Sequence, residues 1–372
     1  MAKPKLALIP AAQGDKLYSV LPSSGVGDFD FTRSGGATRI NSQGLIETVA
    51  DGVSRLNYPL IDGKVVGCPS HLLEPSRTNY VNNSNNASIW SSITSGGTIT
   101  RASNYAISPD GTQNATRLQA SVSGSGYALI TLAITSAFDG NYTSTVYVKS
   151  NTNSNQKIAF YGRNSTNNAH TVGNEWTRIE FQGSSASGQS QLSYLGVSTS
   201  VTNEDNPIDI LVWGGQLEQG SYPTSYIPNY GTALGVTRSA ETANNSGDAS
   251  TFNDSEGVLM VEGSLLDVSQ DFNKISISDG SSAENRIEFI YLNDNEIKIE
   301  IGLTNGFNET LNVGSSESFN KIAVVYNSTN ASVFINGFNL VTDTMSSLSG
   351  LSQLQFNRFN SNTENFYGNT KQ

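Results

Sequence analysis

Alternating apolar and polar positions run through most of this chain and predict strands. In "NYTSTVYVKS", Tyr142, Val146 and Val148 share one face and Thr143, Thr145 and Tyr147 the other. "GNEWTRIEFQ" sets Trp176, Arg178 and Glu180 opposite Thr177, Ile179 and Phe181, and "NPIDILVWGGQLEQG" sets Ile208, Ile210 and Val212 opposite Asp209, Leu211 and Trp213. Strands of this kind, separated by Gly, Ser and Asn turns, predict a jelly-roll sandwich over residues 81–235. "NKISISDG", "NEIKIEIG", "NKIAVVYN" and "ASVFINGF" repeat the theme and predict a second sandwich over 252–372. The polar stretch "SAETANNSGDASTFND" has the composition of a joint, so 236–251 reads as a linker. Residues 1–80 hold only short apolar runs ("LALIP", "GLIETV", "HLLEP") and predict a small β module whose core is too thin to stand alone. The expected fold class is all-β: a small N-terminal β module followed by two β-sandwich (jelly-roll) domains.

Composition agrees with this reading and removes several functions. Only 14% of the 372 residues are charged, and there are 35 glycines. The Asn, Ser and Thr that fill the remaining positions favour turns and strands over helix interiors. Net charge is −11, with no basic stripe, which points away from nucleic acid. The longest apolar runs, such as "IDILVW", are too short to cross a bilayer. The N-terminal "MAKPKLALIPAAQGDK" lacks the apolar length and cleavage pattern of a signal peptide, so it is expected to be retained. A single cysteine, Cys68, excludes an internal disulfide framework.

Catalytic signatures are missing. The two histidines, His71 and His170, have no partner at metal-ligand spacing, and no nucleophile elbow, zinc-protease or phosphate-loop motif occurs. The expectation is a protein that is not an enzyme and needs no cofactor. Aromatic residues are the better lead, because exposed rings stack on sugars. Trp176 and Trp213 sit on alternating strands and read as core. Trp90, Tyr105, Tyr127 and Tyr142 are the candidates for glycan binding. Glu218 is the candidate for a structural Ca²⁺ site, and the sequons at Asn86, Asn114 and Asn141 arise readily in so Asn- and Ser-rich a chain.

The segments "GDFDFTRSGGATRINSQGLIETVADGVSRLNYP" and "GCPSHLLEPSRTNY" contain, in order, R-x-G-x-A-T, G-L-I-E, R-L-x-Y and L-L-E-P-x-R-T-N. In this they resemble the N-terminal module of structural proteins of tailed bacteriophages. One departure is the serine before Arg55, where such proteins commonly have proline. The middle segment is similar to the carbohydrate-binding-module jelly rolls of the same proteins, through "SPDGTQNATRL", "YTSTVYVKS", "EWTRIEF" and "VWGGQLEQGSYPTSYIPN", followed by Thr237 and Arg238. The last segment resembles laminin-G and concanavalin-A-like sandwiches. Members often continue past a "YGNTKQ"-like stretch, which predicts a sandwich completed by a strand beyond Gln372 or by another chain.

The resemblance implies a tail-fibre, head-fibre or decoration component exposed on the virion. It would be attached to other virion proteins through the first module, commonly as a homotrimer, and would bind host-surface polysaccharide. A purely architectural virion protein and a capsule depolymerase with two carboxylates remain alternatives. Arg33, Arg39, Glu47, Arg55, Glu74 and Arg77 are expected to form polar ties that hold the thin first module in one geometry.

Overall fold

The computed structural model describes residues 5–13, 16–19, 26–133, 139–162, 169–185, 191–268, 273–303, 306–359 and 364–371. It is all-β: among the described residues the only helical turn is the short 3₁₀ segment Ala87–Ile89. Two large sandwiches account for most of the strands, as the alternation predicts.

The middle sandwich is organised by one long strand, Ala115–Ala133. Its first half pairs with Ile208–Gln219 and its second half with Gln191–Ser198, while Ser92–Ala106 runs beside it throughout. The strand order is Ala169–Val172, Gln156–Gly162, Gln191–Ser198, Ala115–Ala133, Ile208–Gln219, Gly140–Ser150, Thr177–Ser185, with every pairing antiparallel. Leu118, Ile130, Val146, Val148, Phe160, Leu195, Ile210 and Val212 meet in its core. At Gly214 (φ +64°) and Gly215 the strand Ile208–Gln219 bulges against Gly140–Ser150. A bulge shifts side-chain parity. Val212 and Leu217 therefore both face the core, and Trp213, Gln216 and Glu218 all face outward.

The C-terminal sandwich stacks a five-stranded sheet on a seven-stranded one. The smaller sheet runs Phe307–Asn312, Glu296–Ile301, Arg286–Tyr291, Asn273–Ser278, Gln353–Gln355. The larger runs Phe338–Thr344, Asn330–Ile335, Asn320–Asn327, Glu256–Leu265, Gly368–Thr370, Ser70–Leu73, Arg55–Asn57. Its last two strands come from the first segment. Gly368–Thr370 lies between Glu256–Leu265 and Ser70–Leu73, so the "YGNTKQ" stretch expected to lead into a further strand is itself a sheet strand. Gln372 lies outside the described residues.

Two expected boundaries are corrected. The described residues of 1–80 form no separate module, because strands of two to six residues cannot bury a face by themselves. They divide their apolar side chains between neighbours. Phe29 and Leu73 enter the C-terminal core, and Ile46 packs on Trp213 and Tyr226 at the outer face of the middle sandwich. Nor is 236–251 a linker. Val236–Arg238 pairs with Arg77–Asn79, Thr242–Asn244 pairs with Asp30–Thr32, and Ser246 bridges to Leu354. Its polar composition serves side-chain bonds inside a packed joint.

Candidate functional site: a buried charge cluster and a polar cleft

The R-x-G-x-A-T, R-L-x-Y and L-L-E-P-x-R-T-N segments converge on that joint. Arg55 lies on the edge strand of the large sheet and is fully buried. Its Nε donates to Glu241 Oε1 at 2.8 Å, and Nη2 bonds both Glu241 Oε2 and Glu74 Oε2, the latter at 2.8 Å. Nη1 donates to the Thr38 carbonyl at 3.0 Å and to Ser225 Oγ. Arg238 approaches Glu74 at 2.7 Å and donates to the Pro75 carbonyl at 2.8 Å. Arg33 lies 3.2 Å from Glu241 and donates to the carbonyls of Gly35, Ala50 and Val53. Three guanidinium groups and two carboxylates thus share a site closed to water. Burial pushes the Glu74 carboxyl up, but Arg238, Arg55 and the Ser225 bonds outweigh it and hold it down at about 2. Burial also works against the Arg55 charge, yet Glu241 and Glu74 raise its pKa above the ordinary value.

The rest of each motif supports this cluster. Gly35 sits at φ +84°, where a methyl group would overlap the Thr237 carbonyl oxygen. Ala37 is fully buried, and Thr38 Oγ1 donates to the Tyr226 carbonyl at 2.6 Å. Asn79 donates to the carbonyls of Gly215 and Ile227 and accepts from the amides of Val81 and Leu217. Sequence reasoning singled out Arg33, Arg55 and Glu74 but missed Arg238 and Glu241. Arg238 and Glu241, two of the three charges in the apparent linker, were the available signal.

Arg39 and Glu47 stand apart from the cluster. They face each other across the hairpin formed by Ala37–Ile40 and Ile46–Val49, with Arg39 Nε donating to Glu47 Oε1 at 2.6 Å, half exposed to solvent. Glu218 is no cation site. It is fully buried and surrounded by donors: Gln216 Nε2 at 2.7 Å, the Thr224 amide at 2.8 Å and Thr224 Oγ1 at 2.7 Å. Such a shell satisfies the carboxylate with donors and leaves neither oxygen turned to a cation. Among the described residues no group of three or more His, Cys, Asp or Glu is placed to hold a metal ion.

The four aromatic candidates separate. Trp90 is 5% exposed, with its ring over Gly215 and its Nε1 donating to the Asn83 carbonyl at 3.0 Å. Tyr142 is 1% exposed and packs on Phe181. Neither offers a face to a ligand, because Gly215, Gly162 and Gly183 leave room for the rings to sink inward. Tyr105 (44%) and Tyr127 (37%) are exposed. Tyr127 pairs with Ser95, whereas Tyr105 lies beside Arg117, roughly 30 Å away along the strand at 3.3 Å per residue. They share no platform.

Tyr105 connects through Arg117 to a polar cleft of about 490 Å³ on the middle sandwich, lined by Thr98, Thr100, Gln119, Thr152, Gln156 and Asp209. The Arg117 guanidinium lies 5.0 Å from the Tyr105 ring centre and forks onto Asp209, with Nε donating at 2.9 Å. Gln119 and Asn151 also donate to Asp209, and its carboxyl is held below the usual range first by Arg117 and against burial. A ring beside amides, hydroxyls and an ionised carboxylate has the chemistry to hold a polyol.

The fold thus defines an all-β protein of two sandwiches joined through a buried ionic core. No protein-family model matches the chain, and no curated protein matches it. Among solved structures, domains LG4-5 of the mouse laminin alpha1 chain are similar at 9% identity and a TM-score of 0.24, over 65% of this chain and 84% of that one.

Proposed function

We propose that this chain is a structural protein of a tailed-bacteriophage virion, a fibre or decoration component whose sandwiches bind host-surface polysaccharide. One observation carries the reading. Residues of three of the four motifs that make the resemblance meet, with Arg238 and Glu241 from the 236–251 stretch, at one joint between the two sandwiches, and Ile46 of the fourth packs beside it on Trp213 and Tyr226. They behave as parts of a single device that holds two domains in a set relation, which a projecting component requires. The cluster carboxylates are saturated by arginines and backbone amides, so none is free to move a proton, and this favours a role without catalysis. The cleft beside Tyr105 supplies the sugar-binding surface. Weak sites of this kind gain strength from several copies, as in a homotrimer.

An architectural role without sugar binding draws support from Val258, Met260 and Val325, which stand exposed on the outer face of the large sheet. Two measurements test the proposal. Antibody against residues 252–372 should label outward projections on particles made from the genome that encodes this chain. Purified protein should bind host-surface polysaccharide without releasing reducing ends. Unlabelled particles would overturn the virion assignment, and labelled particles with no polysaccharide binding would leave the architectural role.

A further inference from the structure

We infer that a second groove, centred on Arg77, binds the carboxylate of an acidic sugar. This deepens the proposed polysaccharide binding and rests on that reading for its biological ligand. The groove has a volume of about 510 Å³, within the range of roughly 300–1,000 Å³ common for ligand sites, and its lining includes Ser76, Asn141, Gln219 and Ser221. It lies where Arg77–Asn79 crosses the far end of Ile208–Gln219 from Asp209, so it is distinct from the cleft beside Tyr105.

Arg77 differs from the other arginines of the joint. Arg33, Arg55 and Arg238 are buried within the cluster and spread their donors over carboxylates and carbonyls. The Arg77 side chain keeps 13% exposure, and its one hydrogen bond among the described residues runs from Nη1 to the Ser76 carbonyl at 3.2 Å. Nε is buried with no hydrogen-bond partner among the described residues and faces Glu218 at 3.8 Å, too far for a hydrogen bond. Glu218 is already occupied by Gln216 and Thr224, which leaves the guanidinium charge directed at the groove.

The group is also held in place. On one side lies the Tyr222 ring, 5.1 Å from Cζ to its centre. On the other is Gly220 at φ +138°, where an added Cβ would stand 2.9 Å from Nη2 and 3.1 Å from Cζ. A guanidinium held between a tyrosine ring and a glycine at the wall of a groove can match a carboxylate, whose two oxygens accept parallel N–H bonds. Clamping beforehand lowers the ordering cost of binding. The Asn141 side chain, which bonds no described residue, lines the same groove with Ser76, whose hydroxyl donates to the Arg238 carbonyl, and with Ser221, so polar groups flank the guanidinium.

Calorimetric titration of the full chain with sodium glucuronate, methyl glucoside and sodium acetate at constant ionic strength tests this. Saturable glucuronate binding is expected, at least tenfold tighter than methyl glucoside or acetate. R77Q should abolish it, and R77K should retain a weakened remnant. If R77Q fails to fold, N141A, an exposed change, should weaken glucuronate binding several-fold with an unchanged melting temperature. No saturable glucuronate binding, equal binding of methyl glucoside, or unaltered binding in the folded variants would overturn the inference. Acetate binding as tightly as glucuronate would reduce the groove to an anion site and overturn the sugar assignment. Glucuronate binding in a protein that ignores the host polysaccharide would uphold the groove and overturn the proposed function instead, while Y105A should leave glucuronate binding intact.

Discussion

Arg55 and Glu241 lie 186 residues apart in sequence and are joined side-on by two hydrogen bonds, from Nε and Nη2, at a point where both side chains are fully buried. The pair links the edge strand of the C-terminal sandwich's large sheet to the segment that connects the two sandwiches. Neither charge has water as an alternative partner, so each depends on the other.

Removing one member should therefore cost much more than removing a surface pair. E241Q leaves Arg33, Arg55 and Arg238 facing Glu74 alone and should lose about 3–5 kcal/mol in urea unfolding. R39A breaks a half-exposed pair and should lose less than about 1 kcal/mol. Equal losses would remove the distinction between the cluster and the hairpin.

Acid should weaken the joint in two stages. His71 is fully buried between Phe31 and Phe356 with neither ring nitrogen bonded, and burial, then Arg55, lowers its pKa to about 3. From pH 6.5 down to about 3 the unfolded chain holds a proton on His71 that the folded chain does not. Stability then falls by up to about 1.4 kcal/mol per pH unit. Glu74, depressed to about 2 from an ordinary 4.5, adds a loss as pH drops between those values. H71F should flatten the melting temperature between pH 6.5 and 4.5, and an unchanged slope there would show that another group titrates.

The glycine of R-x-G-x-A-T should tolerate no side chain. G35A places a Cβ at φ +84° and against the Thr237 carbonyl, next to Arg238. Backbone strain alone accounts for about 1–3 kcal/mol. The expected result is a lower melting temperature with the alanine, and G36A, where the nearest atom would be 3.5 Å away, serves as control.

Stability and sugar binding should separate at two aromatic residues. W90A empties a packed site and should cost about 3–5 kcal/mol. Y105A should leave melting nearly unchanged and weaken polysaccharide binding several-fold. Loss of binding in neither variant would remove the Tyr105 cleft from the proposed function.

The alternating stretches made the two sandwiches legible, because side-chain parity in a strand is a local property with a period of two. Ile208, Ile210 and Val212 face the core as that rule requires. The rule failed after Gly214, where the bulge reversed parity and turned Gln216 and Glu218 towards the joint. The burial of Trp90 and Tyr142 was hidden for a similar reason, since the glycines that admit their rings lie in other strands.

The chain's own order of residues determined its strands, its apolar faces and the presence of a conspicuous set of arginines and glutamates near its start. Only the tertiary structure decided which of those charges lost contact with water. Arg39 and Arg55 look alike in sequence, and one sits on a hairpin surface while the other is enclosed with Glu74 and Glu241. Strand patterning acts between neighbours, whereas desolvation depends on which distant segments the path of the chain brings together. That path made an ionic core out of what composition alone presented as a polar linker.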